Sequence, residues 1–418
     1  MSRTWTSPLR KRRPAGRDER PPPGRARQNP LDMLKRRFHS GELGSVPVAL
    51  GLLVVWIIFA ALNENFLSPR NLSNLSVDIV GIGMISTGVI FVLLLGEIDL
   101  SVGSVSGLAA AGFAVLNVNH GVPEGLALLL AVVAGTVIGA VQGFFFAKVG
   151  VPAFVVTLAG LLGWNGLMLY ILGSSGTINL DDKGLVAMLT NYYFTNVAAA
   201  YGLAALGTAG YFLASYQDVR RRKAAGVPAR PLREIVLRTG VLAVICLAAA
   251  AVLNEFHGLP LALLIFLVFL VGLDQVLRRT PYGRMVFALG GSVEASRRTG
   301  LNVDLVRISV FMVSGTMAAI GGLFLASRVT SATQTSGSGN LLMDAIAAAV
   351  IGGTSMFGGR GRTWSALLGV LVIQSIASGV ALMGIQTAAQ FMITGGVLLV
   401  AVVIDSLSRR AQKAHGRV

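Results

Sequence analysis

Stretches of about 20 mostly apolar residues recur along this chain, the length at which an α-helix crosses a hydrocarbon layer about 30 Å thick. They lie at residues 46–65, 77–96, 102–118, 125–147, 152–173, 194–216, 239–254, 258–277, 307–328, 341–357, 363–382 and 387–407. The predicted fold class is all-α, a polytopic integral membrane helical bundle of about 10 to 12 spans, some interrupted. The segments opening at Ser101 and Leu341 are short and rich in Gly and Ser. Interrupted helices of that kind are tolerated in a membrane only where protein or a water-filled cavity covers the freed backbone groups.

Composition points the same way. Of the 418 residues, 54% are hydrophobic and 13% charged, too few charges to clothe a soluble protein of this length. The formal net charge of +16 is sorted by position. Twelve Lys and Arg fall between Arg3 and Arg37, seven between Arg220 and Arg238, six between Arg278 and Arg307, and four between Arg409 and Arg417. Alternating the spans from a cytoplasmic Met1 puts all four groups on one side, leaving Arg70, Lys183 and Arg328 opposite. That is a positive-inside asymmetry, so the basic runs report topology and a lipid bilayer rather than nucleic acid. An even span count puts both termini in the cytoplasm.

Three regions follow. Residues 1–40, rich in Arg and Pro, have too little apolar content to repay ordering and read as a disordered basic cytoplasmic tail. Residues 41–408 form the transmembrane domain, and 409–418 a basic cytoplasmic C-terminal tail. The first apolar stretch begins about 45 residues in and lacks a small-residue cleavage site, so it reads as a retained anchor. The one cysteine, Cys246, excludes an internal disulfide framework and a thiolate metal site. Among the 51 glycines, Gly103 with Gly107, and Gly135, Gly139 and Gly143, recur at four-residue spacing. Small residues at that spacing let helices approach closely in lipid, where no hydrophobic effect drives them together. The other reading is that they line a route for a solute.

Signals for an enzyme are missing. The sequence has no G-x-x-x-x-G-K-[ST] phosphate loop, no zinc set and no nucleophile triad, so no catalytic residue, metal or cofactor is expected. His39, His120, His257 and His415 fall in tails or turns. Acids are almost absent from mid-span, which argues against intrinsic proton coupling. Gln142, Thr157, Asn165 and Gln374 lie within spans and could line a pathway for an uncharged solute. Each could equally serve as an interhelical hydrogen bond worth about 0.6–2 kcal/mol.

At Gly96–Gly103 the sequence reads G-E-I-D-L-S-V-G, a polar turn between two spans. Asp99 or Ser101 is placed to cap the helix that follows. The string resembles the membrane permeases of bacterial ATP-binding-cassette importers for monosaccharides, the ribose, xylose and multiple-sugar group, through Gly96, Asp99, Leu100, Ser101 and Gly103. Three further stretches match in order: V-P-A-F-V-V-T-L-A-G at 151–160, T-P-Y-G-R-M-V-F-A-L-G-G-S-V-E-A-S-R-R-T-G-L at 280–301, and I-G-G-T-S-M-F-G-G-R-G-R at 351–362. The resemblance implies an energy-supplying ATPase subunit that grips the 280–301 loop, with Gly283, Arg284, Gly290, Gly291, Glu294, Ala295 and Gly300 as coupling residues. It also implies an extracytoplasmic sugar-binding protein and a second permease subunit, most simply another copy of this chain, in the cell membrane. Within that loop the spacing predicts a short surface helix from Ser292 to Gly300 that presents Arg297 and Arg298. The family usually carries Asn where Ser292 or Val293 stands. The stretch from Phe194 to Leu277 is longer than in ribose-type permeases and resembles the xylose branch, so xylose is the preferred cargo. A secondary carrier or channel for a small neutral solute is the alternative.

Overall fold

A computed structural model describes residues 46–414. The expected basic tail at 1–40 lies outside the described residues, as do the last four. Residues 44–408 form one compact unit; the other, residues 1–43 and 409–418, includes among the described residues only the end of the last helix.

The chain is almost entirely helical. In order it forms α1 (Val46–Leu62), α2 (Pro69–Leu94), α3 (Val102–Ala114), α4 (Glu124–Phe144), α5 (Ala153–Leu172), β1 (Thr177–Asn179), α6 (Leu185–Asn191), β2 (Tyr193–Phe194), α7 (Val197–Ala224) and α8 (Leu232–Asn254). There follow β3 (Leu259–Pro260), α9 (Leu261–Arg279), α10 (Pro281–Gly291), α11 (Val293–Arg298), α12 (Val303–Val329), β4 (Ser331–Thr333), α13 (Leu341–Ile351), α14 (Trp364–Leu382) and α15 (Thr387–Ala414). Wider π-helical turns carry α3 on to Asn119 and α4 on to Val149. Among the described residues nine helices are long and apolar enough to cross a membrane, and three shorter apolar ones lie at Pro47–Leu62, Leu341–Ile351 and Ala388–Val400.

Helix α2 is the hub. Ser68 caps it through the Asn71 amide at 3.3 Å and Pro69 opens its first turn, so it starts earlier than the hydropathy pattern indicates. From Ile79 to Leu94 every residue is buried, as expected of a helix apolar on all sides. Helix α12 packs along α2, with α14, α13 and α9 also against it, and α4 and α3 lie in turn on α12. Gly135, Gly139 and Gly143 on α4 stand directly against the backbone of α12 at Gly315, Phe311 and Ile308. The packing reading of that glycine series therefore holds. Thr136 and Thr316 join hydroxyls across the same seam at 2.7 Å.

Within the stretch 194–277, α7 and α8 form a peripheral hairpin, while α9 buries Phe266 and Leu270 in the core. Helices α7 and α8 pack chiefly on each other around Ala200, Ala204, Ala250 and Leu253. The two short antiparallel sheets, β1 with β4 and β2 with β3, lie at one end of the bundle, where Thr190 after α5 also meets Ser327 of α12 at 2.8 Å. The segment joining α7 to α8, helices α10 and α11, and the turn after α2 lie at the opposite end. Of the Lys and Arg between residues 46 and 408, only Arg70, Lys183 and Arg328 belong to the sheet end, so charge and fold agree.

The span expected at 341–357 differs. Helix α13 has 11 residues, about 16 Å, and stops at Ile351 because Gly352 abuts the Ser365 backbone and Gly353 turns left-handed at φ 99°. The rest of that crossing is made by irregular chain at 334–340 packed on α3. A Cβ on Gly103 would lie 2.6 Å from the Gly337 carbonyl oxygen, and one on Gly107 would overlap that of Ser336. Helix α3 covers one side of this chain at Ser336 and Gly337, while Gln334, Thr335, Ser338 and Gly339 stay exposed at the sheet end.

Candidate functional site

The loop after α9 forms two short helices. Thr280 caps α10, its Oγ1 accepting from the Gly283 amide at 3.2 Å, and Pro281 takes the first helical position. Gly283, Val286 and Leu289 are buried at helical spacing, while Arg284 is exposed. Gly283 lies on the Leu277 backbone with no room for a side chain. Ser292 then caps α11 by accepting from the Ala295 amide at 3.2 Å, and Gly300 ends the turn at φ 80°. These are the bounds the spacing predicts. Arg298 reaches Glu294 at 3.4 Å, and Glu294, Ala295, Arg297 and Arg298 are all exposed.

The sequence motifs converge beside α10. Gly290 sits against the carbonyl of Leu94 and the amide of Gly359, and that amide donates to Leu94 O at 2.9 Å. Gly96, left-handed at φ 80°, faces the Phe357 carbonyl, where a Cβ would lie 3.3 Å away. A Cβ on Gly358 would come within 3.0 Å of the Gly96 amide. Residues far apart in sequence thus form one junction made almost entirely of backbone, and glycine is required because peptide planes take the place of side chains. Gly291 points into open space and takes no part.

Immediately inward lies Asp99, 2% exposed. Its Oδ1 accepts from the Ser101 amide at 2.9 Å and the Ser101 hydroxyl at 2.6 Å, and its Oδ2 accepts from Ser314 on α12 at 2.8 Å. The cap expected from the sequence therefore needs correction. Ser101 begins α3 but its side chain caps no amide, because its one hydroxyl proton is spent on Asp99, which orients the turn instead. Ser101 Oγ also lies 3.0 Å from the Gln142 side-chain amide of α4. With that proton committed, Ser101 can only accept, so the Gln142 NH2 must face it. The Gln142 oxygen then faces Gly160, beside which lies Trp164 Nε1, a buried donor without a partner. Thr157 is buried on α5, its hydroxyl 3.0 Å from Ala153 O and 3.4 Å from Ile98 O, so the second motif touches the same turn.

Leu100 packs half-buried against the core, and Gly103 meets the irregular chain at Gly337. Asn165 and Gln374 are half-buried on α5 and α14, and no hydrogen bond ties either to the junction. Of the four suggested lining residues, Gln142 and Thr157 thus serve the junction. Two contributors escaped the sequence reading. Ser314 stands 215 residues from Asp99, and Trp164 looks like any interfacial aromatic; no local signal marks either.

Charges ring the junction. Burial pushes the Glu97 carboxyl above its ordinary value and the Arg307 guanidinium draws it back down. Arg307 also stands 4.4 Å over the Phe146 ring, and Lys148 pairs with Asp304 at 3.0 Å. Burial raises the Tyr282 hydroxyl, which accepts from Ser309 at 3.1 Å.

Comparisons with known proteins agree with this geometry. The chain is 34% identical over 364 residues to the xylose transport system permease protein of Escherichia coli, covering 87% of this chain and 90% of that one. The xylose transport system permease protein of Haemophilus influenzae is 31% identical over 362 residues, 86% and 96% of the two chains. The ribose import permease protein of Bacillus subtilis is 32% identical over 376 residues, 90% and 97% of the two chains. No solved structure matches. Residues 71–402, which hold every element of the junction, match the family model described as branched-chain amino acid transport system / permease component, and the chain belongs to that family of membrane permeases.

Proposed function

We propose that this chain is the membrane-spanning subunit of an ATP-driven importer that moves a monosaccharide, with xylose preferred, across the bacterial inner membrane. The relatives named above carry xylose and ribose in their names, and the longer 194–277 stretch favours the former. One observation carries the reading: α10, which leads straight into the exposed α11, meets at Gly290, backbone on backbone, the two turns that end α2 and precede α14. A push on α11 is therefore delivered to the Asp99 turn and the hub helix without soft side chains between.

The division of labour follows. An ATPase subunit grips α10 and α11 through Arg284, Glu294, Ala295 and the surrounding basic face, with Gly283, Gly290 and Gly300 shaping the segment. A binding protein delivers sugar at the sheet end, and a second copy of the chain completes the pathway. The junction end faces the cytoplasm, because most of the basic residues collect there, and so do both termini. Reconstitution into vesicles with the ATPase and binding protein is expected to give ATP-dependent sugar accumulation that vanishes when either is left out. Accumulation by this chain alone would rule the reading out.

A further inference from the structure

At the sheet end a cavity of about 390 Å³ opens between α3, the last turns of α12 and the irregular chain that follows β4. It is of the size that small-molecule sites occupy. Its polar wall is made of Ser106, Ser331, Thr333, Thr335 and Ser336, with Arg328 at the rim. Thr333 Oγ1 lies 2.9 Å from Thr335 Oγ1 and 3.4 Å from Ser336 Oγ, a cluster of hydroxyls in which each can donate or accept. Ser106 gives its proton to Gly103 O at 2.6 Å and offers only lone pairs. Arg328 brings no free charge, since Asp78 and Asn74 on α2 hold it at 2.8 and 3.4 Å. No acid lines the cavity.

A neutral wall of two-way hydroxyls over apolar flanks suits a neutral polyhydroxylated solute and offers little to an ion. We infer that this cavity is a binding site for a monosaccharide ring. The inference rests on the transport reading above and names a resting place for the solute within it. The floor is tied to the junction: Gly322, against the Ser106 carbonyl, lies about 12 Å along α12 from the Ser314 that holds Asp99. Ser106 itself lies little more than one turn of α3 beyond Ser101. Two helices thus run from the energy-receiving end to the floor of the cavity.

The test uses the full chain in nanodiscs of phosphatidylcholine alone, so that no glycolipid can supply a sugar headgroup. With Cys246→Ser as background, Ser331→Cys and, separately, Thr335→Cys are labelled with a membrane-impermeant maleimide. D-xylose or D-ribose is expected to slow labelling severalfold at both positions, while choline and acetate leave it unchanged. Adding Thr333→Val and Ser336→Ala is expected to raise the half-protecting sugar concentration by about three- to tenfold, the loss of one or two neutral hydrogen bonds. Equal labelling with and without every neutral sugar, or equal slowing by choline, overturns the site. Vesicle uptake with the ATPase and binding protein separates the two ideas: uptake without protection removes this cavity only, whereas protection without ATP-driven uptake removes the importer reading only.

Discussion

Gly290 stands so close to the carbonyl of Leu94 that a methyl group cannot fit between them, while its neighbour Gly291 faces open space. Leu94 ends the hub helix α2 and Gly290 lies at the end of α10, so under the proposed function this contact is where a push on α11 would meet the core.

The pair makes its own control. Gly290→Ala must displace backbone rather than a flexible side chain, and is expected to cost about 1–3 kcal/mol and to uncouple ATP hydrolysis from uptake. Gly291→Ala meets nothing and is expected to leave both intact. ATPase rate and sugar uptake measured side by side in vesicles check it; equal behaviour of the two variants would falsify the junction as the point of force transfer.

Asp99 serves three donors as an acceptor only. Asp99→Asn turns an NH2 toward at least one of them and is expected to lose about 1–3 kcal/mol. Ser314→Ala removes one bond and should lose about 1 kcal/mol. The double variant should lose less than the sum, because the two share a partner. Thermal unfolding of the four proteins in one lipid composition gives the cycle.

The amide of Gln142 gives a third expectation. If it accepts from Trp164, Trp164→Phe deletes one buried bond and costs about 1 kcal/mol beyond the change in packing, and Gln142→Glu, which cannot donate to Ser101, costs more. In the Gln142→Ala background the extra cost of Trp164→Phe should disappear. An unchanged cost there would show that the indole N–H has no partner in Gln142.

Glu97 predicts a pH dependence. Its folded carboxyl lies above the ordinary value of 4.5 because burial outweighs the pull of Arg307. The folded state then binds more protons than the unfolded one, so stability falls as pH rises from about 4.5 through the folded value. Arg307→Gln removes the opposing charge, moves the folded value further up and widens that window. Unfolding temperature against pH for both proteins, with Glu97→Gln as the flat reference, reads the effect.

In the interrupted span, Gly337 is left-handed at φ 75° and a Cβ on it would overlap the Gly103 carbonyl, whereas a Cβ on Gly339, at φ 70°, would meet open space. Gly339→Ala is expected to cost about 1 kcal/mol for backbone conformation alone. Gly337→Ala must also push the chain off α3, and should cost at least twice as much and lower uptake. Comparable unfolding temperatures for the two would mean that the close approach on α3 is not needed.

What the sequence alone determined is whatever depends on neighbours along the chain. Apolar length fixed the helices, because lipid leaves a backbone no other way to satisfy itself. The clustering of Lys and Arg assigned the two ends, and Ser292 with Gly300 bounded α11, because caps act over three or four residues. Tertiary structure decided everything that rests on contact between distant segments. That Gly290 meets Leu94 and Gly359, that Ser314 rather than a helix cap completes Asp99, and that Gln142 turns to Ser101 depend on three-dimensional packing across up to 265 residues. Glycine-to-backbone contacts carry no signature in composition, since the partner is a peptide group that every residue has. The interruption at α13 was legible in its short, Gly- and Ser-rich sequence, but the close approach of the Ser365 backbone to Gly352 just past its end was not, because that contact is again made to a peptide group.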